Sequence, residues 1–269
     1  MMFLNRNFKV EIRRAILSLR FLAAVLIALV FLGFGVIRMI FVQDVIPAGY
    51  SFADLWYFAY SASYFAYLLP LLAIMPYADS LSIEREEGFF NLKVFRGKFS
   101  VSMTAKILAN ALAGAAVIVI PLLLLYLFAN LYLPRAAFPL NEWEATISGR
   151  PYGILYDFYM NQPDRFIFLI IGLAGMMGLV YASFSMAVSL IFPQRYLVWA
   201  LPCAFYLLSD FVAQKTRLLG INWSPVAALY ASPWNYSTGI TAFFLHPVTM
   251  LCLTVFLILL FCNRTRIIN

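Results

Sequence analysis

The chain has 269 residues, of which 64% are hydrophobic, 17% aromatic and only 12% charged. Soluble domains are about 45 to 50% apolar and about 25% charged, so this composition excludes a globular cytosolic enzyme with a single anchor. It indicates an integral membrane protein. A net charge of +7 would suggest nucleic acid binding in a soluble protein, but in a membrane protein it first reports topology, and we expect no nucleic acid partner.

The first 20 residues precede the first apolar run. Apolar residues recur there at helical spacing, and basic residues spread over the other side. The apolar set is Phe8, Ile12, Ala15, Ile16 and Leu19, and the basic set is Arg6, Lys9, Arg13, Arg14 and Arg20. The pattern predicts an amphipathic interfacial helix over residues 1–20, lying in the headgroup plane. A basic flank that only orients the chain is the alternative. The apolar run that follows is long and leads to Arg38 without a small-x-small cleavage site, so we expect the segment to be retained rather than cleaved as a signal peptide.

Six apolar segments are candidates to cross hydrocarbon about 30 Å thick, although the last one is short. They are residues 21–41, 55–77, 107–133, 166–192, 196–214 and 248–262. We therefore predict an all-α polytopic membrane protein with six transmembrane helices, built as one transmembrane domain over residues 1–269, with both termini on the same side.

The charges between the spans predict the orientation. With both termini in the cytoplasm, 13 basic and 5 acidic residues lie inside, a net +8, against 6 basic and 7 acidic residues outside, a net −1. Cytoplasmic loops carry the excess of Lys and Arg in membrane proteins. We therefore expect both termini to be cytoplasmic.

Residues 79–98, between the second and third spans, form the densest charged run in the chain. Asp79 or Ser80 can cap a helix there, glutamates favour its first turns, and Gly97 can end it. Three apolar residues follow at threefold spacing on this predicted helix, namely Phe89, Leu92 and Phe95.

In this layout the sequence resembles the permease subunit of an ABC type-2 exporter. Members have six spans, an amphipathic helix before the first, and a cytoplasmic coupling helix with a Glu-Gly-containing stretch that leads to a Lys opening the third span. The matching residues here are Glu87-Gly88, Leu92 and Lys106, and Arg96-Gly97-Lys98 stands where many members have a Pro. The resemblance implies that an ATPase contacts Glu84, Arg85, Glu86, Glu87, Gly88, Phe89, Leu92 and Arg96.

The resemblance further implies a permease that is not itself an enzyme. It would couple ATP hydrolysis by separate cytoplasmic ABC ATPase subunits to export of an amphipathic, lipid-like or peptide substrate. No GxxxxGK[ST] phosphate loop occurs in the chain, so we expect no cofactor in it, with ATP and Mg bound by the partner ATPase. A dimer with a second copy or a homologous permease, in a bacterial or archaeal cytoplasmic membrane, is also implied.

Two outer segments are predicted between the later spans. The loop at 132–165 contains four prolines and is long enough for a small ordered cap. Residues 218–262 contain no Lys, Arg, Asp or Glu, which is too apolar for an ordinary loop. Ser224-Pro225 and Ser232-Pro233 each read as a cap followed by Pro, and His246-Pro247 precedes the last span. We predict a re-entrant outer hairpin over residues 218–247, as in members of the resembled family.

Other function classes remain open at this point. A membrane scaffold or receptor that transports nothing is the main alternative. An intramembrane enzyme is weakly suggested by Glu86-Glu87, but Asn91 stands where the glutamate-dependent family has Arg. No metal site is expected, because His246 is the only histidine and reads as an interfacial residue. Arg38 and Asp210 lie toward the outer ends of their spans and either pair along a pathway or extend to the interface.

Overall fold

The computed structural model describes residues 2–42, 51–88, 99–135, 154–216, 223–230 and 241–268. This part of the chain is all-helical and contains no strand. In chain order its helices are α1 (Met2–Ile16), α2 (Leu19–Val42), α3 (Phe52–Ala62), α4 (Phe65–Ile74), α5 (Ser80–Glu86), α6 (Phe99–Tyr132), α7 (Ile154–Asn161), α8 (Pro163–Ile191), α9 (Arg195–Thr216), α10 (Pro225–Leu229) and α11 (Thr241–Ile268).

Five of these helices contain a segment that is long and apolar enough to cross a membrane, namely α2, α6, α8, α9 and α11. A crossing needs about 20 predominantly apolar residues, which each of them supplies or approaches. The prediction of an all-helical polytopic membrane protein is therefore confirmed. The spanning parts are Leu19–Ile40, Ser102–Tyr132, Pro163–Ile191, Arg195–Lys215 and Phe244–Phe261.

The second predicted span is not one continuous helix. It is divided into α3 and α4, which meet at an angle of 71°. At the break the Ser63 hydroxyl donates to the Tyr60 carbonyl at 2.6 Å, and Tyr64 adopts a left-handed conformation with φ of 55°. A serine hydroxyl that bonds back to the preceding turn offers the backbone an alternative to the helical ladder. The pair forms either a broken sixth crossing or a re-entrant segment.

The last helix begins earlier than predicted. Thr241 is its first residue and Pro247 lies inside it, so the expectation that His246-Pro247 precedes the last span is wrong. A proline is tolerated in transmembrane helices more readily than in soluble ones. Two residues after Pro247, the Thr249 hydroxyl donates to the His246 carbonyl at 2.8 Å. The predicted hairpin therefore cannot extend to residue 247.

One part of that hairpin follows the prediction. Ser224 caps α10 by accepting a hydrogen bond from the Ala227 backbone N–H at 2.9 Å, and Pro225 occupies the first helical position. Ser232 and Pro233 lie outside the described residues. The predicted outer loop at 132–165 likewise contains α7, whereas residues 136–153 are outside the described part of the chain.

The centre of the fold is the crossing of α6 with α8. Gly114 lies against the backbone of α8 at Gly178 and against the Ala73 carbonyl of α4. Small residues let transmembrane helices approach closely, since packing rather than the hydrophobic effect drives their association in lipid. The Asn110 side chain reinforces the crossing by donating to the Ala182 carbonyl at 2.6 Å. This close crossing positions the ends of α4, α6 and α8 beside α5.

Candidate functional site: the α5 end of the bundle

The helix α5 is shorter than the predicted coupling segment at 79–98. It ends at Glu86, and Gly88 follows with φ of +77°, a left-handed conformation that glycine adopts without a Cβ penalty. Gly88 thus ends α5, and Gly97, the predicted end of the segment, lies outside the described residues. The predicted contact residues Phe89, Leu92 and Arg96 lie outside the described residues.

Asp79 occupies the N-cap position of α5 but does not cap it through its side chain. Its carboxylate instead accepts from the Arg20 guanidinium at 2.6 Å, at the start of α2. The Asp79 side chain is almost fully buried, and the ion pair with Arg20 offsets the free-energy cost of removing this carboxylate from water. The start of α5 is therefore tied to α2.

Glu84 is bonded to the first turns of α6. Its carboxylate lies 2.6 Å from the ammonium of Lys106, and the two side chains are only 16% and 3% exposed. Lys106 is the lysine that the resemblance singled out, and the structure places it inside the protein. Removing one partner of an ion pair this deeply buried lowers the stability of the fold by several kcal/mol, because the remaining charge stays desolvated.

Arg85 reaches the carboxyl end of α8. Its guanidinium donates to the carbonyls of Ser189 and Leu190 at 2.9 and 2.7 Å. The last carbonyls of a helix have no partners within it and carry partial negative charge, which favours a cation. Partial burial lowers the pKa of the Arg85 guanidinium, yet an arginine stays protonated in proteins.

The far end of α5 is exposed. Glu86 forms an ion pair with Arg195 at the start of α9, and both side chains are about half exposed. Glu87 and Gly88 are also exposed. Glu84 and Arg85 therefore bond within the chain, while Glu86, Glu87 and Gly88 form the surface that a partner can reach.

The helix α1 joins the same cluster through its one acidic residue. Glu11 is 5% exposed and accepts a hydrogen bond from the Tyr77 hydroxyl. The Lys106 ammonium lies 5.6 Å from the centre of the Tyr77 ring. Burial, and then the Glu11 carboxylate, raise the pKa of the Tyr77 hydroxyl, so it stays protonated and able to donate. Sequence reasoning missed Glu11, although a lone acid in a basic helix was a visible signal.

These contacts connect α5 to five other elements at one end of the bundle. Salt bridges and hydrogen bonds join α5 and its flanks to α1, α2, α6, α8 and α9. The Glu84–Lys106 pair is buried, the contacts of Glu11, Asp79 and Arg85 are partly buried, and the Glu86–Arg195 pair is exposed. Polar contacts away from water are stronger than those at the surface. A force applied to the exposed end of α5 would therefore act on several membrane-crossing helices together.

Arg38 and Asp210 are not brought together. Arg38 donates to the Tyr64 hydroxyl at 3.3 Å, beside the break between α3 and α4. Asp210 accepts from Ser224, the residue that caps α10, and from Gln214 at 2.8 Å. Asp210 thus links α9 to α10 within the chain, and the possible pair between Arg38 and Asp210 does not form.

Two polar side chains, Asp54 and His246, are buried in a way that the sequence did not predict. Asp54 is fully buried, forms a capping box with Ser51 and accepts from the Tyr159 hydroxyl of α7 at 2.5 Å. His246 is also buried and lies 2.7 Å from the Tyr181 hydroxyl, while its depth in the membrane stays a prediction. From its position in α11 the His246 side chain contacts α8, where the Tyr181 hydroxyl lies within hydrogen-bond distance of its ring nitrogen.

The described residues contain no group of three or more His, Cys, Asp or Glu side chains able to hold a metal ion. Ionisable groups are instead concentrated at the α5 end, where they pair with one another and with helix ends. No family model, curated protein or solved structure matches the sequence.

Proposed function

We propose that the protein is the permease subunit of an ABC exporter. In this proposal a cytoplasmic ATPase docks on Glu86, Glu87 and Gly88, and ATP and Mg are bound by that partner. A second permease copy, or a homologous permease, completes the transport path. The substrate class is an amphipathic, lipid-like or peptide molecule. The resemblance in layout motivates the proposal, and the bonding of α5 is the observation that carries it.

The mechanism follows from how α5 is held. A ligand or partner shifts a conformational equilibrium only through different contacts with its two states. Closure of an ATPase pair changes the position of the surface on which α5 rests, and Glu84 and Arg85 transmit that displacement to α6 and α8. Packed helices respond by rigid-body shifts rather than by gradual deformation. The bundle would thereby alternate between inward-open and outward-open states.

Reversing the exposed charges of α5 tests the proposal. The double variant Glu86→Lys and Glu87→Lys should lose copurification with the ATPase and should uncouple ATP hydrolysis from export. Unmatched charge at an interface typically costs about 2 kcal/mol or more of binding, which is roughly thirtyfold in affinity. Copurification from native cells and ATPase assays on reconstituted vesicles measure both effects.

Arg195→Gln is the matched control for this test. It removes the Glu86–Arg195 ion pair but leaves both carboxylates on the exposed end of α5. An exposed pair contributes about 0 to 1 kcal/mol to stability, so the control should fold and couple normally. Full ATPase association and full transport by the double reversal would remove the coupling role from α5. A chain that never copurifies with an ATPase, in either form, would favour a scaffold or receptor.

The proposal also requires the α5 end to be cytoplasmic. Single cysteines introduced at Glu87 and at Glu144 should react differently with a membrane-impermeant reagent in intact cells. Position 144 should be labelled and position 87 should be protected. The excess of Lys and Arg lies in the segments on the same side of the membrane as α5, and that side is the cytoplasmic one in membrane proteins. Labelling at 87 and protection at 144 would invert the topology and exclude an ATPase contact there.

A further inference from the structure

The acidic and basic side chains of α1 lie on different faces of the helix. Its one acid, Glu11, points into the protein and is bonded to Tyr77. Lys9, Arg13 and Arg14 are all exposed. The face of α1 that the protein leaves open is therefore cationic, with no carboxylate among its exposed described side chains.

Large apolar side chains lie between these cations. Successive residues of a helix are rotated by about 100° around its axis. Val10 therefore lies between Arg13 on one flank and Arg14 on the other. Leu17 falls in the same place when the last turn of α1 is continued by one residue. Leu17 is 70% and Val10 47% exposed. Apolar side chains flanked by arginines are typical of a helix that rests on a bilayer, where the long basic side chains reach the phosphates.

The position of this face agrees with such a contact. α1 ends at Ile16, Leu17 follows it, and Leu19 begins α2, whose apolar segment is long enough to cross a membrane. Leu19 itself is 84% exposed. The open face of α1 thus lies next to the point where the chain enters the bilayer, within reach of the headgroups of the same leaflet.

We propose that Lys9, Arg13 and Arg14, with Val10 and Leu17 between them, form a binding surface for the headgroups of anionic phospholipids. The charge of the surface selects an anionic partner, and the exposed apolar side chains select one that also offers hydrocarbon. A bilayer containing anionic lipid satisfies both, whereas an acidic protein surface satisfies only the first. The inference requires insertion into a membrane but does not depend on export.

Lipid bound to the open face of α1 would affect the α5 end of the bundle through α1. One face of α1 holds the lipid, and the opposite face bonds Tyr77 next to the Lys106–Glu84 pair. Anionic headgroups should therefore keep α1 docked against α6. Loss of those headgroups should loosen the contact between α1 and the helices that hold α5.

Lipid titration of the purified full-length chain tests the proposal. Dioleoyl phosphatidylglycerol and dioleoyl phosphatidylcholine share acyl chains and differ in charge, so their effects on thermal unfolding in detergent report headgroup recognition. Phosphatidylglycerol should raise the unfolding temperature at lower concentration than phosphatidylcholine does. Each basic residue near an anionic surface contributes about fivefold in affinity, so Lys9→Gln with Arg13→Gln and Arg14→Gln should weaken phosphatidylglycerol binding on the order of a hundredfold.

Two variants serve as controls for charge and for position. The charge-retaining set, Lys9→Arg with Arg13→Lys and Arg14→Lys, should keep the preference for phosphatidylglycerol. A second set removes three exposed cations elsewhere, Arg135→Gln with Arg165→Gln and Lys215→Gln. This set should also keep the preference for phosphatidylglycerol. In the unmodified protein, raising salt from about 50 to about 500 mM should reduce the preference, because surface charges are screened.

Several results would overturn the inference. They are equal stabilisation by the two lipids, an affinity for phosphatidylglycerol that does not change with salt, and retention of that affinity by the triple glutamine variant. If the triple variant lost a protein partner while keeping full phosphatidylglycerol binding, the face would be a protein-docking site and the lipid assignment would be wrong.

Discussion

Replacing Gly114 with alanine should destabilise the protein by about 1 to 3 kcal/mol, the usual cost of overpacking a well-filled contact. An added Cβ would lie 2.5 Å from the Ala182 Cβ and 2.8 Å from the Ala73 carbonyl oxygen. Two of the three nearest atoms are backbone oxygens, which cannot move aside as the end of a flexible side chain can. The crossing of α6 with α8 would have to open. A larger substitution, Gly114→Leu, should prevent correct folding.

Gly172 supplies the matched control, because it lies on the other helix of the same crossing and no atom lies within 4 Å of a Cβ placed there. Gly172→Ala should unfold at the same temperature as the unmodified protein or slightly above it, since alanine is the better helix former. Thermal unfolding in detergent and the monodisperse yield after purification measure both variants. Equal behaviour of Gly114→Ala and Gly172→Ala would show that the two helices do not meet at Gly114.

Removing the buried ammonium should produce the second large effect. Lys106→Met leaves the carboxylate of Glu84 without its ion pair in a place where it is only 16% exposed. Breaking one side of a buried pair costs about 3 to 5 kcal/mol, because the remaining charge stays desolvated. For a chain of this size that corresponds to a fall in unfolding temperature on the order of 10 °C.

A double variant separates the pair from other effects of the substitution. Glu84→Gln with Lys106→Met removes both charges, and it should recover much of the lost stability, since replacing a whole buried pair is often neutral. The cycle of single and double variants measures the coupling between the two side chains. Glu86→Gln is the exposed comparison, because its partner Arg195 is 44% exposed, and it should cost less than about 1 kcal/mol. A Lys106→Met variant as stable as Glu86→Gln would contradict the buried pair.

The position of α5 was accessible from the sequence, but the roles of its residues were not. A dense charged run between two apolar segments predicted a helix there, and α5 lies in the first part of that run. The same run did not distinguish the inward Glu84 and Arg85 from the outward Glu86 and Glu87. A seven-residue helix makes only two turns, so which of its charged side chains faces the bundle is decided by partners at Lys106 and at the end of α8.

The break between α3 and α4 was also invisible in the pattern. Residues 55–77 are uncharged and mostly apolar, so length and hydropathy predicted one crossing. The bend depends on the Ser63 hydroxyl turning back to the Tyr60 carbonyl and on Tyr64 being held in a left-handed conformation. Such a conformation is costly for a residue with a Cβ and persists only where surrounding contacts hold it. One such contact comes from α2, where the Arg38 guanidinium donates to the Tyr64 hydroxyl at 3.3 Å.

Composition by itself determined that this chain is an all-helical membrane protein. Transfer of about 20 apolar residues into hydrocarbon, with every backbone group bonded inside the helix, is a property of each segment alone. Glu11 with Tyr77, Arg20 with Asp79 and Glu84 with Lys106 were decided only by the tertiary structure. Charged side chains can be buried only where a partner of opposite charge or a hydrogen-bonding group meets them. The partners here come from different helices, so packing of the bundle determines which charges are held inside and which remain open to lipid or protein.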